Sequence, residues 1–135
     1  MDRARVALTL IVVPSVAVGL QAAFAPRSFY DDFPLGRGWI PIEGGAFDEH
    51  LVRDVGVWYL ALIVGTVWTI AASLDPRPVA SAWLVQGVGH LAIHLADPGA
   101  LGTVDTAALV GSLAVVPLLA AVALFSPRER SRPPE

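Results

Sequence analysis

Four stretches of about 20 apolar residues, separated by short breaks rich in charge, proline or glycine, constrain this chain more than any other feature. A helix needs about 20 predominantly apolar residues to cross the hydrocarbon layer of a bilayer. The first stretch, residues 6–25, carries no charge. The second, 51–73, has Arg53 and Asp54 at its start and then runs uncharged to Ala72. The third, 79–96, is uncharged but contains Gln86, His90 and His94, and the fourth spans 106–125. Leu74-Asp75-Pro76-Arg77-Pro78 and Asp97-Pro98-Gly99 are breaks of the kind that end helices. The pattern predicts an all-α fold: a four-helix transmembrane bundle, one integral membrane domain over residues 1–135, with a long extracytoplasmic first loop.

Composition agrees and excludes several classes of function. The chain is 55% hydrophobic and 16% charged, whereas a soluble domain carries about a quarter charged residues. It has no cysteine, which removes disulfides, thiolate metal ligands and dithiol redox chemistry. The net charge is −3 and no basic run is long enough to hold nucleic acid. All nine basic residues are arginine, and the Arg, Ala, Gly and Pro bias reads as the coding bias of a GC-rich bacterium.

Arginine placement predicts orientation. Arg3, Arg5, Arg77, Arg128, Arg130 and Arg132 fall on one side of a four-span chain, and Arg27, Arg37 and Arg53 on the other. The richer side is cytoplasmic by the positive-inside rule, so both termini are expected in the cytoplasm of a multi-pass protein of the inner (plasma) membrane. Ala23-Phe24-Ala25 after an apolar core resembles a signal-peptidase site. Pro26 directly after it is a poor context for cleavage, and the first helix is expected to remain.

Residues 26–50 make a connection longer than the ~12–15 residues at which a loop usually has structure or function of its own. Its aromatics (Phe29, Tyr30, Phe33, Trp39, Phe47) suit an interfacial segment lying on the bundle; the alternative is a lid over a cavity. Small residues at Gly56, Gly65, Gly87, Gly89, Ala107 and Gly111 suit close helix packing.

The polar residues of the second and third stretches form the candidate site. Gln86, His90 and His94 are spaced i, i+4, i+8 and share one helix face, which Asp97 continues. His50 with Asp54, and Glu49 with Arg53, are i, i+4 pairs at the start of the second span, at similar depth, and Gln21 near the end of the first span can join them. Two histidines one turn apart are workable imidazole ligands, so His50, Asp54, His90 and His94 are a candidate metal set. The zinc-protease pattern is absent, because Leu91 follows His90. Two other readings stay open. One is a site for a small lipid-soluble molecule or quinone-like headgroup; the other is a structural cluster of polar side chains bonding across helices.

The stretch from His50 to Leu62, His50-Leu51-Val52-Arg53-Asp54-Val55-Gly56-Val57-Trp58-Tyr59-Leu60-Ala61-Leu62, resembles the start of the second helix in small four-helix membrane proteins of the DoxX-like kind. The resemblance covers that helix and the four-span plan. It implies a compact bundle that accompanies oxidoreductases or has no assigned activity, and it supplies no catalytic residue. The expected function is that of an accessory or partner-binding membrane subunit, in a membrane complex or homo-oligomer, with no cofactor specified. The alternative is a protein that binds a metal or lipid-soluble molecule at the His/Asp cluster. Four spans without a mid-bilayer charge argue against a self-contained transporter.

Overall fold

The structure, a computed structural model, describes residues 2–42, 46–97 and 99–127. It is all-helical: α1 (Arg3–Phe24), α2 (Pro26–Asp32), α3 (Trp39–Ile42), α4 (Glu49–Ala71), α5 (Arg77–Ala96) and α6 (Thr103–Phe125). The four long helices, α1, α4, α5 and α6, are long and apolar enough to cross a membrane. Each begins within about three residues of where the apolar stretch predicts, because the capping turn lies outside the apolar run. Asp2 caps α1 by accepting from the Arg5 N–H at 2.8 Å, and Asp48 caps α4 by accepting from Leu51 N–H at 3.1 Å.

Helix ends follow local chemistry. Pro26 holds the preceding Ala25 out of the helical region (φ −133°), so α1 stops there and Pro26 opens α2 at a position where its missing N–H costs nothing. At the other end of the bundle α4 closes with Leu74 N–H donating to Thr69 O and Ser73 N–H to Ile70 O. Ser73 takes the left-handed conformation (φ 54°) usually given to glycine at this position. Asp75 and Pro76 then turn the chain into α5.

Around the bundle α4 packs on α1, α1 on α6, and α6 on α5. Small residues make these contacts. A Cβ on Gly56 would meet the backbone of Ala22 and Ala23 in α1, the Ala23 Cα at 2.7 Å. A Cβ on Gly87 would lie 2.8 Å from Pro117 Cδ in α6. Ala4, Ala7, Ala80, Ala120 and Ala123 are also buried, together with Leu8, Ile11, Ile63 and Trp83. This core occupies the half of the bundle nearer the chain termini. Large apolar side chains point outward instead, among them Trp58 (71% exposed) and Trp68 (68%). Small inside and large outside is the packing expected where lipid is as apolar as the helices and only close contact holds them together.

The stretch between α1 and α4, expected from the sequence as a long loop lying on the bundle, contains two short helices, α2 and α3. Hydrophobic side chains placed a turn apart, Pro26 and Phe29, are buried under α2, which packs on α1 and α4, and α3 packs on α2. A turn at Phe33–Gly36, followed by Arg37 and Gly38, joins the two. Gly38 has φ 61°, and a Cβ there would lie 2.8 Å from Asp31 O, so the turn needs glycine.

The glycine contacts yield a graded test. Gly56→Ala and Gly87→Ala, which press against backbone or a proline ring, are expected to lower stability by about 1–3 kcal/mol each. Gly65→Ala and Gly89→Ala, where nothing lies within 4 Å, are expected to be neutral or mildly stabilising. Thermal unfolding of the four variants in detergent measures the order.

Candidate functional site

The backbones of α4 and α5 stay farther apart than those of the α1/α4 and α5/α6 pairs, and side chains bridge them. Deep in the core, Trp83 Nε1 donates to Thr66 Oγ1 at 2.8 Å, and Thr66 donates in turn to Leu62 O at 2.7 Å. Tyr59 packs edge-on to Trp83, ring centroids 6.1 Å apart. One turn of α5 further on, Gln86 Nε2 donates to Tyr59 Oη at 3.1 Å and contacts His90 Nδ1 at 3.4 Å. The His90 and His94 rings lie 4.9 Å apart. The result is a polar ladder, Thr66–Trp83–Tyr59–Gln86–His90–His94, running along the α4–α5 seam from mid-bundle toward the end that carries α2 and α3. Gln86, His90 and His94 are all partly buried, on the stripe of α5 that includes buried Trp83 and Gly87.

One atom of this ladder is unmatched. The Gln86 Oε1 is buried and has no hydrogen-bond partner among the described residues. A buried polar atom without a partner is costly and calls for a physical explanation.

The other residues singled out in the sequence lie elsewhere. His50 and Asp54 face each other, Nε2 to Oδ2 at 3.5 Å, but their side chains are 90% and 53% exposed. They stand on the α4 face turned away from the bundle, about 180° round the helix from Tyr59. They do not join His90 and His94, and among the described residues no three His, Asp or Glu side chains gather to hold a metal ion. Matching depth along two helices does not make matching direction. Glu49 accepts from Arg53 Nε at 2.9 Å, and Arg53 Nη1 donates to Ala23 O at 2.6 Å, satisfying a carbonyl at the end of α1. Arg53 is thereby a clamp between α1 and α4. Gln21 does not join the ladder either: its Nε2 approaches the Ser28 hydroxyl of α2 at 3.4 Å, and Ser28 donates to Asp32 at 3.1 Å. Asp97 accepts from Gly99 N–H at 3.3 Å in the turn after α5.

Sequence reading missed two features. Tyr59 sits in an apolar run where an aromatic reads as packing, although its hydroxyl is a polar group that needs a partner inside a membrane. Asp105, in the first turn of α6, reads as a charge at the headgroup level. It is instead an anchor: its Oδ1 lies 2.6 Å from the Arg37 guanidinium and accepts from Trp39 Nε1 at 3.1 Å. Trp39 is buried. The segment from α2 to α3 thus forms an arm fastened at its far side to α6. On the arm's near side Arg27 pairs with Asp31 at 2.7 Å and lies over the Phe47 ring, 4.9 Å from its centroid. The hydrogen bond and charge of Asp31 push the already high Arg27 pKa further up.

No family model matches this chain, and no curated protein or solved structure matches it.

The anchor is directly testable. Asp105→Asn keeps the shape of the side chain and removes its charge. It is expected to weaken arm docking by about 1 kcal/mol, the upper range for a pair this exposed, and to speed amide hydrogen exchange over residues 33–41 several-fold. Exchange over α4 is expected to stay unchanged. Equal exchange in both proteins over the arm would show that Asp105 does not hold it.

Proposed function

We propose that this protein is a four-span protein of the inner (plasma) membrane, with both termini in the cytoplasm, whose work is to hold a small lipid-soluble molecule at the α4–α5 seam. In this orientation the arm lies on the extracytoplasmic face and the seam opens in the outer half of the bilayer. The observation that carries the reading is the unmatched Oε1 of Gln86, whose Nε2 is held between Tyr59 and His90. Ionisable and polar groups inside a membrane bundle are expensive to keep and mark functional positions. The ladder also sits where two helices are joined by side chains and not by close backbone contact, so a guest there displaces side chains without separating α1 from α4 or α5 from α6.

Held this way, the molecule is presented to a partner, and the protein acts as an accessory or partner-binding subunit. The outward face of α4 supports that part of the reading. His50 and Asp54 stand at its arm end, and below them Trp58, Ala61, Gly65 and Trp68 are exposed along the same face. A neighbouring helix can approach at Ala61 and Gly65, where no side chain stands in the way. A four-ligand metal site at His50, Asp54, His90 and His94 has no comparable support, since its two halves point in different directions.

Two measurements test the reading. Reporter fusions at the C-terminus and in the α4–α5 turn after Leu74 are expected to report cytoplasm, and one inserted at Ala46 the exterior; the six-to-three arginine split is the motive. The reverse pattern overturns the orientation. Separately, a fatty alcohol carrying a diazirine beside its head group, irradiated with the protein in nanodiscs, is expected to label residues around Tyr59 and His90 above the level at Trp68. Gln86→Met is expected to reduce the labelling at the seam and leave Trp68 unaffected. Uniform labelling along α4 and α5, indifferent to the substitution, overturns the binding site.

A further inference from the structure

We propose that the seam is built for a hydroxyl: its guest is an uncharged, lipid-soluble alcohol or phenol. This inference rests on the reading of the seam as a binding site and adds the chemistry of the head group it takes.

The hydrogen-bond inventory of three side chains leads to it. Gln86 points its Nε2 protons at Tyr59 Oη and His90 Nδ1, so the amide's donors are engaged and its one remaining capacity is the acceptor Oε1. In the tautomer that lets His90 Nδ1 accept from Gln86, the ring proton resides on Nε2, and that nitrogen is a donor. Tyr59 Oη accepts from Gln86 and keeps its own proton to give. The seam therefore offers one acceptor, Gln86 Oε1, and two donors, the Tyr59 hydroxyl and His90 Nε2.

Guests divide cleanly against this set. A ketone, ether or carboxylate only accepts, and leaves Gln86 Oε1 unmatched. An ammonium only donates, and meets two donors head-on. A hydroxyl donates one proton and accepts on its lone pairs, so it answers all three groups at once. Charge is disfavoured for a second reason. Between Val55 and Ala96 the chain's formally charged side chains are Asp75 and Arg77, both in or beside the α4–α5 turn at the opposite end from His90, and Asp97 lies past the end of α5, so an ion beside Gln86 has no charged side chain next to it on either span.

Access fits the same picture. The Oε1 atom is covered by side-chain atoms, and the neighbouring Tyr59 and His90 are partly exposed. Side-chain rotation at the seam leaves the helices fixed by Gly56 against Ala23 and Gly87 against Pro117. The guest's apolar body then lies in lipid alongside the seam, and its hydroxyl enters it.

The experiment compares 4-octylphenol with 4-octylanisole, which differs by one methyl on the oxygen and cannot donate. Radiolabelled probe is partitioned between full-length protein in nanodiscs and empty nanodiscs. The phenol is expected to bind at least about tenfold more tightly than the ether, the scale of leaving a buried acceptor unmatched, and Gln86→Met is expected to erase the difference. Equal affinity, or a preference for the ether, overturns the hydroxyl inference while seam labelling by the fatty alcohol still upholds the site. If neither probe binds above empty nanodiscs and the fatty alcohol labels nothing selectively, the site and the inference fall together. A readout that needs no variant is the infrared carbonyl band of protein labelled with 13C at the glutamine side-chain amide, of which the chain has two. The band is expected to shift to lower frequency with phenol and to stay in place with anisole; a band unmoved by phenol overturns the inference.

Discussion

The close approach of α4 to α1 at Gly56 sets the geometry on which the rest depends. With no side chain at that position the helix backbones touch, and Arg53 reaches across to the Ala23 carbonyl from one turn away. Gly87 against Pro117 does the same for α5 and α6. Two tight pairs, joined through the α1–α6 contact, leave α4 and α5 as the side of the bundle where neighbouring backbones approach least. In water that gap would be closed by the hydrophobic effect. In lipid, apolar side chains gain little by leaving acyl chains for one another, so the gap is held by hydrogen bonds and ring contacts between Thr66, Trp83, Tyr59 and Gln86.

That difference of driving force explains which groups bridge the seam. A polar side chain that turns toward lipid leaves its hydrogen-bonding capacity unmet, so Trp83 Nε1 and Gln86 Nε2 gain more from partners on α4 than a leucine would from packing there. Bonds of this kind contribute about 0.6–2 kcal/mol each in membrane bundles. They are directional as well, and they fix the rotation of α5 about its axis in a way that smooth apolar contact does not. The same directionality leaves the Gln86 amide with its nitrogen held by Tyr59 and His90 and its oxygen without a hydrogen bond.

Much of this architecture was legible in the residues. Lipid imposes its requirement on every residue of a spanning helix, so a count of apolar residues places all four long helices to within a turn. The inward direction of Gln86, His90 and His94 was also legible, since i, i+4, i+8 spacing puts them on one face and membrane physics says which way it turns. What could not be read was how that face registers with α4. Helical spacing fixes directions within one helix, and the rotation of a neighbour is set by where small residues allow contact. Gly56 turns Tyr59 toward α5 and sends His50 and Asp54 away from it, which separates two pairs that matched in depth. The helices within the stretch after α1 were not legible for a related reason: α2 has two turns, too short for a periodicity to stand out, and its helical state depends on burying Phe29 against α1 and α4.

The arm and the seam are coupled through the helices they share. Asp105 is the third residue of α6, the helix on which α5 packs, and it receives Arg37 and Trp39 from the arm. An acid in the first turn of a helix is already favoured by the exposed N–H groups there, so Asp105 ties the arm to a point that is stable in its own right. Through α2 the arm also leans on α1 and α4. It therefore spans from the α1/α4 pair to the α6/α5 pair at the end of the bundle where His90 and His94 lie, and it resists the splaying of the two pairs that the seam by itself opposes only weakly. The glycine contacts set how close each pair comes, the arm and the α1–α6 contact set how far the pairs stand from each other, and the ladder occupies the space that remains.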